Sequence, residues 1–400
     1  MKQNYNVTVT VGLCFLIAVL EGFDIQAMGV AAPRLAREFA FEPKQMGWIF
    51  SISNIGLVIG AMLGGWLADK SGRKPLFVAS AAMFGAFTLL TAAVGSYDML
   101  LLVRFGAGLG FGAALPNMMA IAAEISRPEK AALTAAIMFC GMPVGGGMSA
   151  LATQLLPAGF DWRVLFLLGG ILPVIMVPVL WRLMPETLVR REGVTTVRVP
   201  MLEALFGDGR AGATLLLWLT FLPTLVILYS ILNWLPTLVI ANGFDAATAP
   251  RTSMAFNFGS VAGALVFGRL SDRLFFRWPI TIAYLALIAS LVGLAEARDP
   301  AITVALSAAV GFFLLGANYA LYGVAPIYYP TAVRGTGSGA SVAVGRVGSI
   351  LGPLLVGVLM NSGTSATGVV FYMVPVAAVA AIAVLALSFR RPWLDSPERG

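Results

Sequence analysis

Apolar positions run along this chain in blocks of about 20 residues, separated by short clusters of charge, glycine and proline. A helix of about 20 apolar residues crosses the hydrocarbon core of a bilayer. Twelve such blocks can be drawn, at 9–31, 46–68, 75–96, 99–123, 132–156, 163–184, 213–238, 252–271, 279–297, 301–325, 336–360 and 366–388. Most connections are short, which makes consecutive helices antiparallel neighbours. One is long: "PETLVRREGVTTVRVPMLEALFGDGRAG", Pro185 to Gly212. The pattern predicts an all-α membrane protein of twelve transmembrane helices in two six-helix bundles, 1–188 and 213–400, joined by a cytoplasmic loop over 189–212.

Composition narrows this further. Hydrophobic residues make up 59% of the chain and charged residues 11%, with a mean hydropathy of +0.88. A soluble domain carries about 25% charged residues, so this chain cannot clothe itself in a charged surface. The first block is too long and too acidic for a secretory signal. Counted with the N-terminus inside, 18 Lys and Arg fall in cytoplasmic segments and 6 outside, which sets both termini in the cytoplasm. The formal charge of +7 therefore reflects membrane topology, and no nucleic-acid partner is predicted. Cys14 and Cys140 lie inside apolar runs, with no metal-site or disulfide spacing. Lys70 follows Asp69 where a phosphate-binding loop needs glycine,. No metal, no cofactor and no nucleophile constellation of an enzyme is expected. Histidine is absent, so any proton carried near neutral pH must ride on a carboxyl group.

The two halves resemble each other. "GWLADKSGRK" after the second block aligns with "GRLSDRLFFR" after the eighth, pairing Asp69 with Asp272. "CGMPVGGG" aligns with "VGRVGSILGP", pairing Gly141 with Gly345. These pairs lie 203 and 204 residues apart, the mark of a duplicated six-helix unit. Gly106, Gly108, Gly110 and Gly112 imitate part of a dinucleotide fingerprint, but they sit inside an apolar helix with no strand before it. Close helix packing is the expectation for them, and for Gly141, Gly145, Gly348 and Gly352; Pro143 and Pro353 are expected to kink their helices.

Four charges stand inside the blocks and away from their ends: Glu21, Asp24, Arg104 and Arg346. Such residues are costly in a membrane and mark function. At the repeat offset, Asp24 falls opposite Ile227 or Leu228, Arg104 opposite Ser307 or Ala308, and Arg346 opposite Met142 or Pro143. Duplication shares the packing residues and not the charges. A desolvated carboxyl disfavours its charged form, and a nearby cation restores it. Asp24 is the expected proton carrier, an unpaired acid, with Glu21 one turn earlier tuning it. Asp69, Arg73, Lys74, Glu124, Asp272 and Arg334, near cytoplasmic helix ends, are the gating candidates.

The motifs also carry a resemblance. "GWLADKSGRK" and "RFGAGLGFGAALPN", Arg104 to Asn117, resemble the loop and fourth-helix signatures of the major facilitator superfamily. "EGFDIQAMG", "ALPNMMAIAAE" and "YYPTAVRGTGSG" are similar to its aromatic acid:proton symporters, most of all to bacterial carriers of hydroxyphenylpropionate-type acids. Glu21 stands where many members have aspartate. The resemblance implies a monomeric, proton-coupled importer of a small aromatic carboxylate in a bacterial inner membrane, working by alternating access. A facilitator or symporter of another organic anion, or a proton-driven exporter, are the alternatives. For such cargo, Arg346 or Arg104 would hold the carboxylate, Arg346 being the better placed, whereas Arg104 could instead pair with a first-helix acid. Asn54, Asn117, Asn233 and Asn257 offer donors for ring hydroxyls. Trp48, Tyr229, Trp234, Phe256, Tyr319 and Tyr322 offer ring faces.

Overall fold

In the computed structural model, the described residues are 6–126, 134, 137–157, 159–187, 199–273 and 277–390, with side chains left aside at 271–273 and 277. The chain divides into two compact units. Unit 1 comprises 1–192 with 249–254, and unit 2 comprises 193–248 with 255–400.

Six helices belong mainly to the first half: α1 (Val7–Phe39), α2 (Pro43–Ser71), α3 (Arg73–Thr91), α4 (Tyr97–Ile125), α5 (Gly141–Leu155) and α6 (Arg163–Leu183). Six more follow: α7 (Ala211–Ala241), α8 (Thr248–Arg273), α9 (Arg277–Glu296), α10 (Pro300–Val324), α11 (Arg334–Asn361) and α12 (Ala366–Ser388). Ten of these are long and apolar enough to cross a membrane; the other two are α5 and α8, which lie in the fifth and eighth predicted blocks. Asn6, Ser96, Asp299 and Ser365 cap α1, α4, α10 and α12 by accepting from the first free backbone N–H groups,. A short helix, Met201–Phe206, precedes α7, and the buried Arg210 donates to its Glu203 and Ala204 carbonyls.

The units repeat one pattern of pairing. In unit 1, α1 packs on α5 and α6, and α3 packs on α4 and α6. In unit 2, α7 packs on α11 and α12, and α9 packs on α10 and α12. The α2–α4 crossing brings backbones together: a Cβ on Gly108 would lie 2.1 Å from the Ser53 carbonyl oxygen, and one on Gly112 2.0 Å from that of Leu57. The α8–α10 crossing repeats it, with Gly311 on the Phe256 carbonyl and Gly259 on that of Ala308. Gly108 and Ser53 stand 203 residues before Gly311 and Phe256, and Gly56, which rests on the Phe105 carbonyl, stands 203 before Gly259. Within the glycine run of α4, the alternate pair turns the other way: Gly106 meets the Phe87 ring and Gly110 meets Phe84, both on α3. One helix thus touches two neighbours at backbone distance, as packing without a hydrophobic driving force requires.

The α1–α5 and α7–α11 crossings correct the predicted register. Gly141 sits on the Phe15 carbonyl and Gly145 on that of Val19; Gly348 sits on Leu222 and Gly352 on Val226. These positions match at 207 residues, so Gly141 corresponds to Gly348 and not to Gly345. Asp24 then falls opposite Ile231, Glu21 opposite Leu228 and Arg346 opposite Phe139, while Arg104, on the 203 register, falls opposite Ser307. The charges remain unshared.

Gly112→Val should destabilise the protein by roughly 1–3 kcal/mol through overpacking. Gly65→Val, where a Cβ meets nothing within 4 Å, should leave stability nearly unchanged. Thermal unfolding in detergent compares the two; equal losses would mean that backbone proximity at α2–α4 does not limit the fold.

Candidate functional site

Unit 1 holds a buried ion pair. Asp24, in the middle of α1, is fully buried, and Arg104, two turns into α4, is 2% exposed. Arg104 Nη1 lies 2.9 Å from Asp24 Oδ2 and 3.2 Å from Oδ1. Its Nε donates to Ser53 Oγ on α2 at 3.2 Å, and its guanidinium lies 5.9 Å from the centre of the Phe166 ring on α6. Asp24 is therefore not the unpaired acid expected from sequence. Arg104, expected as a possible cargo ligand, is its counter-ion, because the side chains of α1 and α4 converge at this level. Glu21 is also fully buried on α1. Gly22, between the two acids, lets the Met142 carbonyl of α5 approach to where a Cβ would stand.

One end of unit 1 carries a second cluster. Arg73, at the start of α3, bridges Asp69 at 3.2 Å and Glu124 at 3.4 Å. Glu186, just after α6, accepts from the backbone N–H of Arg73 at 2.9 Å and of Lys74 at 3.3 Å, capping α3 with a negative charge at its positive end,. Thr187 donates to Glu124. Gly72 holds φ at +100°, and a Cβ there would sit 2.3 Å from Glu186 Oε2. This turn needs glycine on both counts. The Lys74 ammonium lies over the Trp181 ring at 5.7 Å. The ends of α2, α3, α4 and α6 are thereby pinned together. Of the remaining gating candidates, Asp272 has a side chain outside the described residues. Arg334, in unit 2, bonds its own turn through the Tyr329 carbonyl and Thr331.

In unit 2, the half-buried Arg346 of α11 donates from Nη1 to the Tyr229 hydroxyl of α7 at 3.0 Å. Tyr322 of α10 lies within electrostatic range of both Arg346 and Tyr229, and its ring meets Phe221 edge-on at 5.6 Å. Gly345 keeps the space beside Leu225 and Phe221 open for this approach. Three helices thus bring one guanidinium and three aromatic rings together.

The other candidates lie elsewhere. Trp234 is buried and donates to the Pro353 carbonyl at 3.1 Å, so it locks α7 to α11. The side-chain amides of Asn54, Asn117 and Asn233 donate to the carbonyls four residues back, Phe50, Ala113 and Tyr229. Asn54 and the buried Asn257 occupy matching positions at the 203 offset, beside the two glycine crossings. Phe256 is buried against Gly311, and Trp48 is exposed. Ser53, Phe166, Phe221, Glu186 and Thr187 were not singled out from sequence. Only Glu186 carried a signal, an acid directly after a membrane block.

A family profile described as Major Facilitator Superfamily matches residues 14–352. The chain is 40% identical to a 3-(3-hydroxy-phenyl)propionate transporter of Escherichia coli, across 96% of this chain and 94% of that one. It is 34% identical to the 4-hydroxybenzoate transporter PcaK of Pseudomonas aeruginosa, across 93% and 90%. Among solved structures, a D-xylose-proton symporter superposes with a TM-score of 0.79 at 15% identity, covering 98% of this chain and 99% of that one.

Asp24→Asn should cost roughly 3–5 kcal/mol, because it leaves the Arg104 charge buried without its partner. Adding Arg104→Gln should recover most of that loss. A thermal double-mutant cycle reads the coupling; additive losses would show that the pair does not hold α1 to α4.

Proposed function

The chain belongs to the major facilitator superfamily, and on that premise we propose that it imports a small aromatic carboxylate together with protons, by alternating access. It is a multi-pass membrane transporter and not an enzyme. The observation that carries the cargo reading is Arg346 among Tyr229, Tyr322 and Phe221. An aromatic acid is ionised at neutral pH and must leave water, so its site has to supply a cation. A planar guanidinium matches a carboxylate, and the rings match the arene. The transport of hydroxyaryl acids by relatives that span almost the whole chain supports the same class.

Proton coupling is assigned to the Asp24–Arg104 pair. Ionised, Asp24 is held by the guanidinium; protonated, it loses that attraction, so proton occupancy biases the packing of α1 against α4. Glu21, buried three residues earlier, modulates this exchange. The cluster of Asp69, Arg73, Lys74, Glu124 and Glu186 moves the ends of four helices as one block, with Asp272 and Arg334 in the corresponding role in the second half. The bundles 1–188 and 213–400, the loop 189–212, a bacterial inner membrane, cytoplasmic termini and a monomer complete the reading.

Uptake of 3-(3-hydroxyphenyl)propionate and 4-hydroxybenzoate into proteoliposomes tests it, with a pH gradient imposed and then collapsed. Wild type should accumulate at least one acid only with the gradient; Asp24→Asn should lose accumulation, and Glu21→Gln should show a milder defect. Full gradient-driven accumulation by Asp24→Asn would overturn the coupling role. Arg346→Ala should weaken binding of the acid by at least about tenfold, since losing a partner of a desolvated charge costs 2–5 kcal/mol or more. The matching amide should change little, and Arg346→Lys should rescue only in part. Equal losses for acid and amide would mean that Arg346 supports the fold alone.

A further inference from the structure

Unit 2 contains a buried acceptor that the protein's own hydrogen bonds leave bare. Asn318 of α10 is 6% exposed, and its Oδ1 has no hydrogen-bond partner. Buried acceptors are nearly always satisfied, because stripping one of water without replacement is costly. A bare one inside a transporter is therefore a candidate contact for cargo.

Its place on the helix says which part of the cargo. Gly311, Asn318 and Tyr322 are seven and four residues apart and share one face of α10,. At one end of that face Gly311 meets the Phe256 carbonyl of α8, and at the other the Tyr322 ring meets Phe221 of α7. Phe221 in turn packs on Gly345, next to Arg346. Asn318 thus stands one turn, about 6 Å along the axis, from Tyr322, whose ring meets Phe221. That is about the span of a benzene ring with its substituents: a carboxylate at Arg346 would leave the far edge of the ring near the Asn318 level. The Oδ1 of Asn117 is also bare, but it lies on the stripe of α4 that continues from Gly110 toward Phe84 of α3, away from any such cation.

We propose that Asn318 accepts the hydrogen bond of a ring hydroxyl, and so makes the carrier select hydroxylated aromatic acids over unsubstituted ones. This rests on the aromatic-acid reading above. A phenolic O–H donates, and the amide oxygen accepts. An unsubstituted ring leaves the acceptor bare, and a methyl ether brings no proton. Sites built to bond a hydroxyl discriminate strongly against analogues that lack it.

The test measures binding to the purified full-length protein of 3-(3-hydroxyphenyl)propionate, its methyl ether and 3-phenylpropionate, and of 4-hydroxybenzoate against benzoate. Wild type should prefer the hydroxylated member by about tenfold or more. Asn318→Leu should remove that preference by weakening the hydroxylated acid alone, and Asn318→Gln should retain part of it. Equal affinity of wild type for hydroxylated, methylated and unsubstituted acids would overturn the assignment, and so would a parallel loss for all ligands in Asn318→Leu. Should Asn318→Leu fail to fold, the wild-type ligand series decides alone. Binding of none of the acids would instead overturn the cargo reading, and the role of Asn318 with it.

Discussion

Lipid supplies neither hydrogen bonds for a bare backbone nor a hydrophobic force between helices, so this fold depends on helices that touch at main-chain distance. The glycines of α4 show how far that dependence reaches. Gly108 rests on the Ser53 carbonyl, and the Ser53 hydroxyl receives Arg104 Nε one turn away. The contact that joins α4 to α2 therefore also aims the guanidinium that meets Asp24 on α1. Packing and charge placement form one arrangement, and a displaced crossing would misplace the ion pair.

Comparing the units separates what duplication preserved from what came later. The glycine crossings and the asparagine pair Asn54 and Asn257 recur at matching positions. Asp24, Glu21, Arg104 and Arg346 recur nowhere. In unit 1 two opposite charges face each other in a buried interior; in unit 2 a half-buried guanidinium donates to the Tyr229 hydroxyl. On the reading proposed above, the first arrangement serves the proton. The second suits an anion. A symmetric scaffold thus carries asymmetric chemistry.

Much of this was legible in the chain. Block length gave the helices, the glycine spacing announced their close approach, and intramembrane charge singled out Asp24, Arg104 and Arg346. What stayed hidden was partnership. In the fold Arg104 meets Asp24, 80 positions away; a one-dimensional pattern admits that partner and a cargo carboxylate alike, and does not say which it is. Nor does it say that the indole of Trp234 is spent on the Pro353 carbonyl, or that the amides of Asn54, Asn117 and Asn233 turn back onto their own helices. Polar residues in an apolar run look alike until their hydrogen bonds are traced. Glu186 is visible as an acid directly after a membrane block, but its partners, the backbone N–H groups of Arg73 and Lys74, are not.

The two repeat intervals have an evolutionary reading. A 203-residue interval relates α2 and α4 to α8 and α10, while 207 relates α1 and α5 to α7 and α11. From the Val226 level of α7 to the Phe256 level of α8 the later copy is therefore four residues shorter than the earlier one is from Val19 to Ser53, and from Gly311 to Gly348 it is four longer than from Gly108 to Gly141. Neither change falls inside a crossing, because a shift there would rotate glycine off its partner carbonyl and drive a side chain into backbone. Chimaeras that exchange segments between the halves face the same arithmetic. Helices must be grafted as crossing pairs, each pair in its own register, with the length difference confined to the loops.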